Sequence, residues 1–136
     1  MKGSTDLSLR AISTDAAPRP VAAYAQGIVA GGFLFTAGQI GLDPATGRLA
    51  EGLEAQVERA LENIRAVLAA EGLTLANAVK FTLYATDLSK FATINAIYER
   101  FLGGHRPART TVGVGTLPGG ALFEVDAIAV LEISAT

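Results

Sequence analysis

Between Glu54 and Glu71 the apolar residues recur at the period of a helix. Val57, Leu61, Ile64 and Leu68 follow one another at spacings of four, three and four, which lines them along one face. Glu58, Arg59, Glu62 and Arg65 fill the opposite face, with Glu58 and Glu62 both positioned to be relieved by Arg65. Gly72 is placed to end this helix. A second helix is predicted from about Lys90 to Leu102. Phe91, Ile94, Tyr98 and Phe101 form its stripe, Asp87 or Ser89 caps it, and Gly103-Gly104 stops it.

Elsewhere the period is two. Leu7, Leu9 and Ala11 alternate with Ser8, Arg10 and Ile12, an imperfect pattern that predicts a short first strand. Pro18 and Pro20 then break it, because proline cannot continue a ladder. Gln26–Ala30 and Phe33–Ala37 flank Gly31-Gly32, which predicts a tight hairpin with positive φ at both turn residues. Asp43-Pro44-Ala45-Thr46-Gly47 reads as a turn. Val79–Thr86 mixes β-branched and aromatic residues and reads as a strand. Two more strands lie between Arg106 and Ile133, joined by a loop of Leu, Pro and Gly.

The order is strand, strand, strand, helix, strand, helix, strand, strand. Two helices cannot cover both faces of six strands. The expected fold is therefore α+β: a single two-layer domain over residues 1–136, with a six-stranded mixed sheet and both helices packed on one face. On the last strand Phe123, Val125, Ala127, Ala129, Leu131 and Ile133 share one face. Leu122, Glu124, Asp126, Ile128, Val130 and Glu132 share the other, and this mixed face is expected to meet water or a partner subunit.

Composition sharpens that expectation. Half the residues (50%) are hydrophobic and 18% are charged, against about 25% charged in an average soluble domain. A chain of 136 residues with this balance favours a homo-oligomer over a well-filled monomer. The absence of Cys excludes disulfides, thiolate metal sites and Cys nucleophiles. The single His argues against a His-based metal site, and His105 is expected to be structural. A net charge of -2 without a basic run argues against a nucleic-acid partner. Val21–Leu42 carries no charge, but Gln26, Thr36, Gln39 and Gly31-Gly32 are wrong for a membrane span. The first ten residues lack the apolar core of a signal peptide, so the cytoplasm is the expected location.

Two residues do not suit plain strands. Arg109 opens the strand after Pro107-Ala108, and its planar fork suits a carboxylate ligand. The alternative is a surface or interface arginine paired with an acid. Glu124 stands between Phe123 and Val125; if buried, its pKa would rise and it could move a proton. The alternative is a solvated strand-edge glutamate. The two strands are joined by a short loop and read as neighbours, so a shared pocket is geometrically possible. Tyr24 and Asn95 are further polar candidates beside apolar runs. Gly113 to Gly120 is glycine-rich, but no helix or Lys follows, so a phosphate-loop reading fails on context.

Several motifs together resemble one family. They are Ala37-Gly38-Gln39-Ile40-Gly41-Leu42-Asp43-Pro44-Ala45-Thr46-Gly47, Glu62-Asn63-Ile64, Val79-Lys80, Phe91-Ala92-Thr93-Ile94-Asn95, Pro107-Ala108-Arg109-Thr110-Thr111-Val112, Leu117-Pro118 and Glu124-Val125-Asp126-Ala127-Ile128-Ala129. From about Ser13 to Leu131 the chain resembles the YjgF/RidA proteins. These are reactive-intermediate deaminases, also known as endoribonuclease L-PSP or translation-inhibitor proteins. The resemblance implies a chorismate-mutase-like fold and a homotrimer with sites in the clefts between subunits. It implies hydrolysis of 2-imino acids or their enamines, such as 2-iminobutanoate and 2-iminopropanoate, to 2-keto acids and ammonia, with no cofactor and no metal. By the same resemblance Arg109 binds the substrate carboxylate and Glu124 stands near the attacking water. Tyr24, Asn95, Ala37 and Thr111 line the cleft. Two departures bear on substrate range: Ala22-Ala23 replaces a common Gly-Pro, and Ala37 replaces a common Ser. A non-catalytic carboxylate-binding or chaperone-like trimer, and a ribonuclease, are the alternative functions.

Overall fold

Two glycines set the first hairpin. β2 (Gly27–Ala30) turns through Gly31 and Gly32, at φ 59° and 88°, into β3 (Phe33–Thr36), as the Gly-Gly pair predicts. The computed structural model describes residues 9–133. β1 (Arg10–Ile12) pairs antiparallel with β2; Leu7 and Ser8 of the predicted strand lie outside the described residues. After β3 comes a strand the sequence pattern does not announce, β4 (Gln39–Ile40), too short to carry a period.

α1 (Leu53–Ala69) buries Val57, Leu61, Ile64 and Leu68 completely. It stops where Gly72, at φ 77°, lets Leu73 N–H donate back to the Leu68 carbonyl at 3.0 Å. β5 (Ala78–Ala85) follows. Asp87 then accepts from Ser89 N–H at 3.0 Å and caps the turn into α2 (Phe91–Leu102). β6 (Ala108–Gly113) and β7 (Phe123–Val130) complete the sheet.

The sheet runs β1-β2-β3-β7-β5-β6, with β4 pairing β7 beyond the end of β3. It is mixed, because β5 and β6 are parallel and the other pairs antiparallel. Among the described residues it has seven strands, where the periodicity predicts six. β6 and β7 are not neighbours, contrary to expectation: β5 lies between them. The reason is the loop. Val114 N–H donates to the Ala85 carbonyl and Thr86 N–H to the Leu122 carbonyl, so the chain passes over the end of β5 instead of turning back beside β6.

Both helices cover one face, packed on Leu34, Phe81, Leu83, Phe123 and Val125, all with zero exposure. Truncating a residue such as Leu61 there removes about 2–5 kcal/mol. On α2 the stripe is shifted from the predicted one: Ile94, Ile97, Tyr98 and Leu102 are buried, while Phe91 is 39% exposed. Among the described residues no helix covers the other sheet face. Phe33 and Phe35 lie opposite Val130 and Ile128 there and are 38% and 41% exposed. His105 has the predicted structural role, with Nε2 2.7 Å from the Ala78 carbonyl oxygen. No helix among the described residues is long and apolar enough to cross a membrane.

Candidate active site

β6 is an edge strand, and its register puts Arg109 beside the buried Phe81 of β5. The side chain therefore leaves the sheet on the helix-covered face and runs along α2. There Phe91, Asn95 and Tyr98, spaced by four and three residues, meet it. Nη1 donates to Asn95 Oδ1 at 2.7 Å. The guanidinium carbon is 5.3 Å from the centre of the Phe91 ring and 4.8 Å from that of Tyr98, within cation–π range. No ion pair among the described residues involves Arg109. One edge of the fork is thus fixed and its charge is left for an anion. Asn95, Tyr98, Glu99, Arg106 and Arg109 line the cleft around it. Thr111, two residues on, shares the Arg109 face and is half-buried.

Glu124 is elsewhere. Its register partner is Tyr84, whose side chain is on the uncovered face. The carboxyl lies against Gly38, between β3 and β4, where any side chain at 38 would overlap Oε2. Burial, then the charge of Asp126, push the Glu124 carboxyl above its ordinary pKa. Asp126 accepts a hydrogen bond from the Tyr84 hydroxyl at 2.7 Å, and this bond leads the causes that push Tyr84 up to about 12. Glu124 shares a cleft with Arg19, Tyr24, Ala37, Gln39 and Pro118.

Three buried amides hold the walls of this second cleft. Gln26 accepts from Thr14 N–H at 2.7 Å, and its Nε2 donates to the carbonyls of Thr14, Ala17 and Pro18. It so ties down the segment that carries Pro18 and Arg19. Asn63, with zero exposure, donates to the carbonyls of Ile40 and Leu42 at 3.1 and 2.9 Å. Gln56 donates to the Ala50 carbonyl and accepts from Leu122 N–H at 2.8 Å. The sequence pattern marks none of the three as a site residue, nor Gly38, Phe91 or Tyr98. Their only trace was amides inside apolar stretches.

The predicted set is therefore split. Arg109, Asn95 and Thr111 stand on one side, and Glu124, Tyr24 and Ala37 on the other. Arg109 lies beside Phe81 and Glu124 beside Tyr84, positions of opposite parity on β5, so the two side chains leave opposite faces of the sheet. Three residues of rise and two strand spacings separate their backbones by about 14 Å. Groups that act on one small substrate must approach to about 3–3.5 Å. Arg109 and Glu124 of one copy therefore do not face one small ligand. Among the described residues no group of three or more His, Asp or Glu side chains is arranged to hold a metal ion.

Comparison with known proteins identifies the family. The Endoribonuclease L-PSP family matches residues 14–131. A RutC family protein of Pyrococcus horikoshii is 44% identical over 122 residues, covering 89% of this chain and 97% of its own. The 2-iminobutanoate/2-iminopropanoate deaminase of Salmonella typhimurium is 43% identical over 124 residues, covering 89% of this chain and 97% of its own. The crystal structure of E. coli TdcF with bound serine superposes with a TM-score of 0.86 at 39% identity, covering 89% of this chain and 98% of that one. On these matches and this fold, the chain belongs to the YjgF/RidA family, the endoribonuclease L-PSP proteins.

Proposed function

We propose that the protein hydrolyses 2-imino acids such as 2-iminobutanoate and 2-iminopropanoate to 2-keto acids and ammonia, in a homotrimer whose sites each join two copies. The observation that carries this reading is Arg109. Its guanidinium is braced by Asn95 and two rings and has no ion-pair partner among the described residues. Such a group binds a carboxylate in one orientation. Serine, bound in TdcF, has the carboxylate and α-nitrogen that an imino acid also carries.

The split between the two clefts supports the second copy. Arg109 of one copy holds the carboxylate, while Glu124, Tyr24 and the Ala37-Gly38 backbone of the next face the C=N carbon. The uncovered face with Phe33 and Phe35 gives such a contact apolar area. Water adds to the iminium carbon and gives a carbinolamine. Glu124 takes a proton from that water and returns it to the nitrogen; it then takes the hydroxyl proton of the carbinolamine as the C=O bond forms, the C–N bond breaks and ammonia leaves. Its raised pKa suits both roles. Ala37, where the family resemblance implies a common serine, offers no hydroxyl on the substrate side of the cleft.

The test mixes two dead variants. Arg109→Ala and Glu124→Gln should each lose at least about a hundredfold in rate on 2-iminobutanoate, generated by a threonine dehydratase and followed with semicarbazide. Unfolded and refolded together in equal amounts, they should recover about a quarter of wild-type activity, because a quarter of the interfaces regain both residues. Recovery near zero would mean that Arg109 and Glu124 act from one copy. An unchanged rate in Arg109→Ala would remove the carboxylate clamp. If keto acid binds but imine loss is never accelerated, the protein is a carboxylate-binding trimer instead.

A further inference from the structure

The hydroxyl of Tyr98 is the one buried side-chain polar atom among the described residues without a hydrogen-bond partner. Tyr98 is 6% exposed. Its ring meets the ring of Phe81 edge-on, with centroids 5.5 Å apart and planes at 88°. Its face lies under the Arg109 guanidinium, and it lines the same cleft as Arg109 and Asn95. Phenylalanine would fill the same space, keep both ring contacts and carry no unpaired hydroxyl. A buried donor left unsatisfied costs stability, and such groups call for an explanation beyond packing.

The neighbours supply one. Arg109 presents a carboxylate-binding fork, and Asn95 already occupies Nη1. A ligand held on the free edge would stand in the cleft that Tyr98 also lines. Burial raises the Tyr98 pKa, against the opposing charges of Arg109 and Arg106, so its hydroxyl remains a donor at neutral pH.

We infer that Tyr98 is a further substrate-binding residue: its ring fixes the plane of Arg109, and its hydroxyl is the second donor to the carboxylate that Arg109 holds. This rests on the carboxylate role proposed for Arg109. The ligand class it selects is a small 2-keto or 2-imino acid with an unmodified carboxylate.

Tyr98→Phe removes only the hydroxyl. Titration calorimetry with 2-ketobutyrate should show Kd weakened about tenfold, with KM for 2-iminobutanoate raised to a similar degree. kcat should stay within about twofold, since uniform binding is what is lost, and Tm should be unchanged or higher. Tyr98→Leu, which also removes the ring, should weaken Kd further. A wild-type Kd in Tyr98→Phe, or a weakened Kd accompanied by a fall in Tm, overturns the inference. Arg109→Ala separates the two readings. If it too binds 2-ketobutyrate like wild type, the carboxylate role of Arg109 fails. If it loses binding while Tyr98→Phe retains it, only the role of Tyr98 fails.

Discussion

Glu124 occupies the space above Gly38 that any other residue at that position would fill with a side chain. The contact is between a carboxylate and bare backbone, so it sets where the carboxylate can lie. Gly38→Ala should push Glu124 off its position. Misplacing a reacting group by about 1 Å costs on the order of a hundredfold in rate. The flexible end of Glu124 can move aside, so the fold should survive. Steady-state rates and a thermal melt on Gly38→Ala check this: at least about a tenfold loss of kcat/KM is expected with Tm little changed. Full activity would show that the Gly38 contact does not position Glu124.

Glu124 also links activity to stability through pH. Burial and Asp126 raise its carboxyl in the folded chain. A raised group favours folding fully at pH below its unfolded value, about 4.3, and loses that contribution as pH rises through the folded value. At neutral pH the ionised carboxylate therefore works against the fold. Glu124→Gln should melt higher than wild type at about pH 7 and at the same temperature at about pH 4. The same variant should be inactive at both. Equal melting at neutral pH would remove the stability cost from Glu124.

Asn63 is expected to be costly to lose for a different reason. It is the shared tie for the Ile40 and Leu42 carbonyls. Asn63→Ala leaves both carbonyls without that donor and should cost about 2–4 kcal/mol in urea unfolding. Asn63→Asp keeps the shape but supplies no amide donor, so it should cost about as much. A loss below about 1 kcal/mol in both would mean that water replaces the tie.

Residues whose neighbours are close in sequence were the readable ones. The α1 stripe, the Gly31-Gly32 turn, the Gly72 stop and the alternation of β7 each follow from a few adjacent positions. Arg109 and Glu124 were conspicuous because each interrupts such a pattern. Their separation was not readable, because it depends on β5 lying between β6 and β7, a fact fixed by the loop hydrogen bonds at Ala85 and Thr86. β4 is not legible in the sequence because two residues carry no period. Phe91 and Tyr98 were legible as apolar positions, yet their contact with Arg109 is tertiary. Gln26, Gln56 and Asn63 looked like ordinary polar residues until the carbonyls they satisfy came into view.

β7 is the last of the described strands in chain order, yet it sits inside the sheet and pairs with β3, β4 and β5. A nascent chain can form the β2–β3 hairpin and can bring β5 and β6 together through α2. It cannot join those two halves until residues 123–130 have been made. Until then β3 and β5 present unpaired edges, a template for contacts between chains. Folding should thus be limited by closure of these distant pairings, and slow synthesis before β7 should raise aggregation more than slow synthesis after it.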